Sequence, residues 1–126
     1  MKKEVKFFIC KHCENIVYLV NESGAPLTCC GDVMTQLVAN TTDAAVEKHV
    51  PDVTVSGDSI VVKIGSVEHP MVEEHYIQWI VAVDKNGVQF KYLQAGEKPE
   101  ATFKVDTESF KVYEYCNLHG LWLYEK

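Results

Sequence analysis

From residue 37 onward the chain is dominated by short runs in which apolar and polar positions alternate, the pattern of strands half-buried in a sheet. "DVTVSGDSIVVKIG" is two such runs around "SGDS" and predicts a hairpin. "HYIQWIVAVDKNGVQFKYLQ" predicts a second, with its turn at Asn86–Gly87, because Asn-Gly supplies the positive φ that tight hairpin turns demand. "EATFKV", "FKVYEYC" and "LWLYEK" add three strands. Seven or so short strands predict a β-sandwich of immunoglobulin-like architecture. One helical turn is expected in "TTDAAVEKH", with Thr42 as its cap and Pro51 as its stop. No internal repeat and no low-complexity segment interrupts the pattern.

The first 36 residues differ. They hold one apolar run, "NIVYLV", a turn, "NESGAP", and four of the five cysteines. So short a segment cannot bury enough surface to fold unaided, and modules of that size usually need a metal or a partner. The chain therefore divides near residue 37 into a small metal module, 1–36, and a β-sandwich, 37–126. The fold class is mainly β.

Composition narrows the function. The chain has 126 residues, 47% of them hydrophobic and 24% charged, and a net charge of −6. That balance supports a real core and argues against nucleic acid and anionic membranes, which need a basic face. Lys2–Lys3 is the only run of basic residues. No apolar stretch has the length of a signal peptide or a membrane span, so the cytoplasm is expected. Thiols stay reduced there, and clustered cysteines then read as metal ligands rather than disulfides. Five cysteines also leave one over in any disulfide scheme.

Four of them form Cys10-x2-Cys13-x15-Cys29-Cys30. A C-x2-C pair presents two sulfurs from one tight turn, and the intervening residues suffice to bring back a second pair and complete a tetrahedron. The adjacent Cys29 and Cys30 would point to opposite sides of an extended strand. The backbone must therefore bend to aim both at one ion. Iron and zinc both suit four thiolates, and spacing alone does not choose between them. His12, between the first two cysteines, is expected to be an exposed loop residue.

Cys116 stands 86 residues beyond Cys30, three before His119. His49, His69 and His75 also lie in the second module, and each falls at the end of a run or in a loop, where a β-scaffold displays function. A single histidine would read as an ordinary surface or core residue; the set, with Cys116, reads as a metal site. Four imidazoles and a thiolate exceed the four ligands structural zinc prefers. Iron accepts five or six, which would leave one position open for a reactant opposite an electron-donating sulfur.

Both constellations resemble the desulfoferrodoxin family, the two-iron form of superoxide reductase, over essentially the whole chain. Cys10-x2-Cys13 with Cys29–Cys30 is similar to its desulforedoxin-type, rubredoxin-like centre. "EKHVP", "HPMVEEHYIQWI" and "YCNLHG" are similar to three signatures of its catalytic domain. One departure is Glu14, where the family often has glycine; a positive φ there would be strained by a side chain. The resemblance implies two irons, Fe(Cys)4 and Fe(His)4(Cys). Cys10, Cys13, Cys29 and Cys30 would hold the first. His49, His69, His75 and His119 would surround the second, with Cys116 axial and His119 turned to bind through Nδ1.

The implied activity is one-electron reduction of superoxide to hydrogen peroxide, without release of dioxygen. Lys48 would draw the anion to the open position and orient a proton-donating water, and Glu47 would help expel product. Backbone N–H groups from Asn117 to His119 are expected to point at the Cys116 sulfur. Trp79 and Trp122 are expected in the core. Rubredoxin as electron donor and a homodimer follow from the resemblance alone. Two other readings of the same residues are a non-catalytic iron electron carrier and a zinc-ribbon interaction module on a β-sandwich adaptor.

Overall fold

A computed structural model of the chain describes residues 4–42 and 44–126; Lys2–Lys3, and Asp43 within the expected helical turn, lie outside them. The described residues form two compact units, Met1–Val38 and Ala39–Lys126.

In the first unit, β1 (Phe7–Ile9) pairs antiparallel with β2 (Ile16–Tyr18). A separate two-stranded ribbon joins β3 (Thr28–Cys29) to β4 (Asp32–Val33), and β5 (Thr35–Gln36) returns to the other edge of β1. Phe7 and Cys10 are buried, but few other side chains are. So little apolar surface cannot offset the cost of ordering the chain.

The second unit is the sandwich. One short helix, α1 (Val46–His49), precedes seven strands: β6 (Pro51–Ser56), β7 (Ser59–Ile64), β8 (Ile77–Asp84), β9 (Gly87–Tyr92), β10 (Glu100–Lys104), β11 (Lys111–Cys116) and β12 (Gly120–Glu125). They form a three-stranded sheet, β10-β7-β6, and a four-stranded sheet, β12-β11-β8-β9. Every pairing within them is antiparallel. Ile60, Val62 and Phe103 from one sheet pack against Ile80, Ala82 and Val112 from the other. The alternation that marks these strands is this division between core and outer face. β8 and β11 are the central strands of the larger sheet and are buried on both faces. On the outer face Trp79 stacks on Tyr115, with ring centroids 5.5 Å apart.

Two local expectations shift. The β8–β9 turn is Lys85–Asn86, one residue earlier than Asn86–Gly87, because Asp84 pairs with Gly87. The Asp84 carboxylate accepts the Asn86 N–H at 2.9 Å and closes the turn itself. The helix is only four residues long, and its cap is Ala45, without a side-chain bond, not Thr42. Thr42 instead lies against the backbone of Gly120, where a Cβ would come within 3.0 Å of its Oγ1.

The ladder between β8 and β11 carries one irregularity. Tyr115 pairs with Trp79 but Cys116 pairs with Ile77, so Gln78 is bulged. The extra residue resets the alternation. Ile77 and Cys116 both join the core, and Cys116 is fully buried at the end of its strand.

Candidate metal centres

The four clustered cysteines converge. Their sulfurs lie within 4.8 Å of one another, with Cys13 to Cys29 at 3.6 Å and Cys29 to Cys30 at 3.9 Å. A tetrahedron of sulfurs ~2.3 Å from one ion has edges of ~3.8 Å, so the cluster has the right size for a metal. The local backbone explains how it is built. The Glu14 N–H closes the first knuckle on the Cys10 carbonyl at 2.8 Å, with Glu14 at φ 65. Cys30 and Gly31 take φ values of 53 and 82, the positive pair of a tight hairpin turn between β3 and β4. That turn is the bend which swings neighbouring cysteines toward one point. The Cys13 and His12 N–H groups aim at the Cys10 sulfur and lower its pKa, whereas the thiols of Cys13 and Cys10 raise those of Cys29 and Cys30. Four sulfurs so close cannot all ionise without a cation among them. His12 is exposed, as expected, and pairs with Asp32.

The second cluster lies at one end of the sandwich. His49 ends α1, His69 and His75 lie in the β7–β8 connection, Cys116 ends β11, and His119 sits in the β11–β12 turn. His49 and His69 are almost wholly buried, at 2% and 1% exposure. The four rings form a pinwheel. Neighbours stand nearly perpendicular, from 79° for His49–His69 to 85° for His49–His119, with centroids 4.6–4.9 Å apart. His49 and His75 face each other across the middle at 6.4 Å. The ligand atoms of His49, His75, Cys116 and His119 all lie within 4.8 Å of one another. His69 joins through its Nε2, 3.1 Å from Nε2 of His49. Nδ1 of His119 is also 3.1 Å from that atom and 4.0 Å from the Cys116 sulfur.

The ring nitrogens identify what belongs in the middle. Nδ1 of His49 donates to the Ala45 carbonyl and Nδ1 of His69 to that of Pro70, both at 2.7 Å. Each neutral ring then turns an unprotonated Nε2 inward, lone pair toward lone pair. His75 Nε2 is buried with no hydrogen-bond partner. Four nitrogens set in a square ~2.1 Å from one cation would lie ~3.0 Å from their neighbours. The chemistry and spacing therefore fit a metal ion. Burial lowers the pKa of His69 to about 4 and depresses those of His49 and His75, which keeps the imidazoles in their ligating form.

Cys116 is similarly prepared. Burial raises its pKa, while the N–H groups of Leu118 and His119 oppose that rise from beside the sulfur. Asn117 departs from expectation, because its N–H donates to the Tyr76 carbonyl at 3.2 Å. Lys48 is half-buried; after burial and the neighbouring histidines, its positive charge is a lesser contributor to the lowering at His49 and His75. Glu47 is exposed, and its backbone carbonyl accepts the Val67 N–H at 2.9 Å and the Ser66 hydroxyl at 3.3 Å. This binds the His49 turn to the chain leading into His69.

Two supporting residues had no signal in the sequence. Trp122 stacks on His49 with centroids 5.0 Å apart and donates its indole N–H to the His119 carbonyl at 3.1 Å. Gly65 has φ 80, and a Cβ there would meet the Val67 carbonyl oxygen at 2.4 Å and the Glu47 carbonyl oxygen at 2.7 Å. Only glycine lets these segments approach so closely.

Known proteins share this plan. The desulfoferrodoxin family model matches residues 41–125. Desulfoferrodoxin of Syntrophotalea carbinolica is 47% identical over 97% of this chain and 97% of its own. That of Nitratidesulfovibrio vulgaris is 42% identical over the same shares. The crystal structure of superoxide reductase from Treponema pallidum superposes with a TM-score of 0.78 at 37% identity, covering 97% of this chain and 99% of that one. With both sulfur-bearing clusters assembled and the likeness running almost end to end, the chain belongs to the desulfoferrodoxin family.

Proposed function

We propose that this protein is a superoxide reductase, an oxidoreductase that converts superoxide to hydrogen peroxide by taking up one electron and two protons per superoxide. The observation that carries this reading is the pinwheel of four imidazoles with a buried thiol beside it, placed at the end of the sandwich rather than deep in its core. Cys10, Cys13, Cys29 and Cys30 hold one iron. His49, His69, His75 and His119, together with Cys116, would hold the other. Iron held at this second site would supply the one-electron reducing chemistry.

The chain's own groups do the rest. Cys116 would lend a bound metal electron density through its sulfur, and the Leu118 and His119 N–H groups beside that sulfur would moderate the donation. Lys48 brings positive charge to an otherwise acidic surface and draws in the superoxide anion. It also orients the water that delivers a proton. Glu47, exposed one residue earlier, assists departure of the product. The division of labour follows the two modules: residues 1–36 form an electron-passing centre with no free position, and residues 37–126 carry the reaction. Rubredoxin is the proposed donor, the cytoplasm the proposed location and a homodimer the proposed assembly. No helix among the described residues is long and apolar enough to cross a membrane.

Metal analysis combined with a visible spectrum and a count of products tests the reading. Two irons per chain, thiolate-to-iron absorption, and one peroxide per superoxide without dioxygen are expected. Two zinc ions, or dioxygen in equal yield, would overturn it. Cys116→Ser is expected to retain the four-cysteine centre and lose superoxide reduction.

A further inference from the structure

Past the bulge at Gln78 the β8–β11 ladder ends at Cys116 opposite Ile77. The next residue, Asn117, continues the pairing by other means. Its backbone N–H donates to the Tyr76 carbonyl at 3.2 Å. Its side-chain Oδ1 accepts the Tyr76 N–H at 2.9 Å, and its Nδ2 donates to the Glu74 carbonyl at 3.0 Å. The two residues it grips are those on either side of His75.

His75 depends on this grip more than His49 and His69 do. The rings of His49 and His69 are each fixed by a hydrogen bond from Nδ1 to a backbone carbonyl. His75 Nε2 is buried without a partner, and no hydrogen bond anchors the ring among the described residues. Its backbone is tied to Val72 by a pair of bonds at 3.0 and 3.1 Å, which closes a local turn but does not connect that turn to the rest of the site. Beyond the Cys116–Ile77 rung, the connection of this turn to the Cys116 strand runs through Asn117.

We propose that Asn117 is a positioning residue: its side-chain amide replaces the missing rungs of the sheet and holds His75 at its distance from Cys116, setting the geometry of the metal site. An amide is the group this requires. It needs one acceptor and one donor, separated so as to reach an N–H and a carbonyl two residues apart. Aspartate keeps the acceptor for Tyr76 and loses the donor for Glu74; alanine loses both. The proposal rests on the metal-site reading above.

The test compares intact protein with Asn117→Asp and Asn117→Ala during extraction by a chelator. Metal remaining at each centre is followed by elemental analysis and by visible absorption. Loss from the histidine site is expected to accelerate about 10- to 100-fold for alanine, the usual effect of removing a group that orients a ligand, and less for aspartate. Loss from the four-cysteine centre in the same molecule is expected to be unchanged. Amide exchange at Tyr76 is expected to accelerate in the alanine variant and stay slow in the aspartate variant. Unchanged extraction in both variants would overturn the proposal, and so would equal acceleration at both centres, the mark of general destabilisation. Should the histidine site hold a metal other than iron, the superoxide reductase reading fails, but extraction and exchange still decide the role of Asn117.

Discussion

At the scale of single residues, two side chains have consequences that their neighbours in sequence would not suggest. Lys48 contributes charge near two rings that face each other, His49 and His75, although it adjoins only the first. Replacing it with isoleucine removes the positive charge at the site. Stopped-flow or pulse-radiolysis measurements are expected to show capture of superoxide slowed by roughly tenfold and less sensitive to ionic strength. An unchanged second-order rate would remove the steering role. Glu114 is the other case. It lies on β11 between Val112 and Cys116, is fully buried, and neither carboxyl oxygen has a partner. Burial raises its pKa well above 4.5, so folding favours the protonated acid. The unfolded chain ionises it above about 4.5, and stability contributed by the neutral acid is lost as pH rises from there toward the folded value. Glu114→Gln stays neutral throughout. Denaturant titrations are expected to show its stability relative to the parent rising as pH increases above about 4.5, and a constant difference would contradict the assignment.

At the scale of elements, the site is a set of loops pinned to one another. The His49 turn is bound to residues 65–67 through the Glu47 carbonyl, and the His75 loop to the Cys116 strand through Asn117. Gly65 permits the first of these. Gly65→Ala would impose both a strained positive φ and a contact of 2.4 Å with backbone, so either α1 or the loop must move. The expected cost is about 2–4 kcal/mol in urea unfolding, accompanied by a shift in the absorption of the histidine site and none in that of the cysteine site. A variant with parental stability and spectrum would show that the two segments are not held by this approach. The first module obeys the same logic at smaller size, since the positive φ values of Glu14, Cys30 and Gly31 exist to aim sulfurs. Glutamate at the first of these costs more than glycine would.

At the scale of the whole molecule, the two units differ in what sustains them. The sandwich has an apolar core drawn from both sheets, whereas the first unit buries only Val5, Phe7, Cys10 and Met34 among its described apolar residues. Metal binding is therefore folding free energy for the first unit and much less so for the second. Calorimetry of the intact protein after chelation is expected to retain a cooperative transition for the sandwich and lose that of the small module. Circular dichroism would report the loss as a fraction of the total strand signal. A single transition displaced as one, with and without metal, would show that the units stand or fall together.

Much of this was legible without coordinates, for physical reasons. Strand periodicity reports burial directly, so the hairpin "DVTVSGDSIVVKIG" was readable, and cysteine and histidine are rare enough that their grouping signals chemistry. Turn placement was less secure: the Asp84 carboxylate moved the β8–β9 turn by one residue, and Thr42 packs on Gly120 instead of capping a helix. The sequence by itself determined the β class and singled out the cysteines and histidines as candidate ligands, because these depend on composition and local spacing. Only the tertiary structure decided that the rings form a pinwheel, that Trp122 and Asn117 support it, and that Gln78 bulges to bury Cys116. Those features join residues tens of positions apart, and hydrogen bonds of that range leave no periodicity in the chain that makes them.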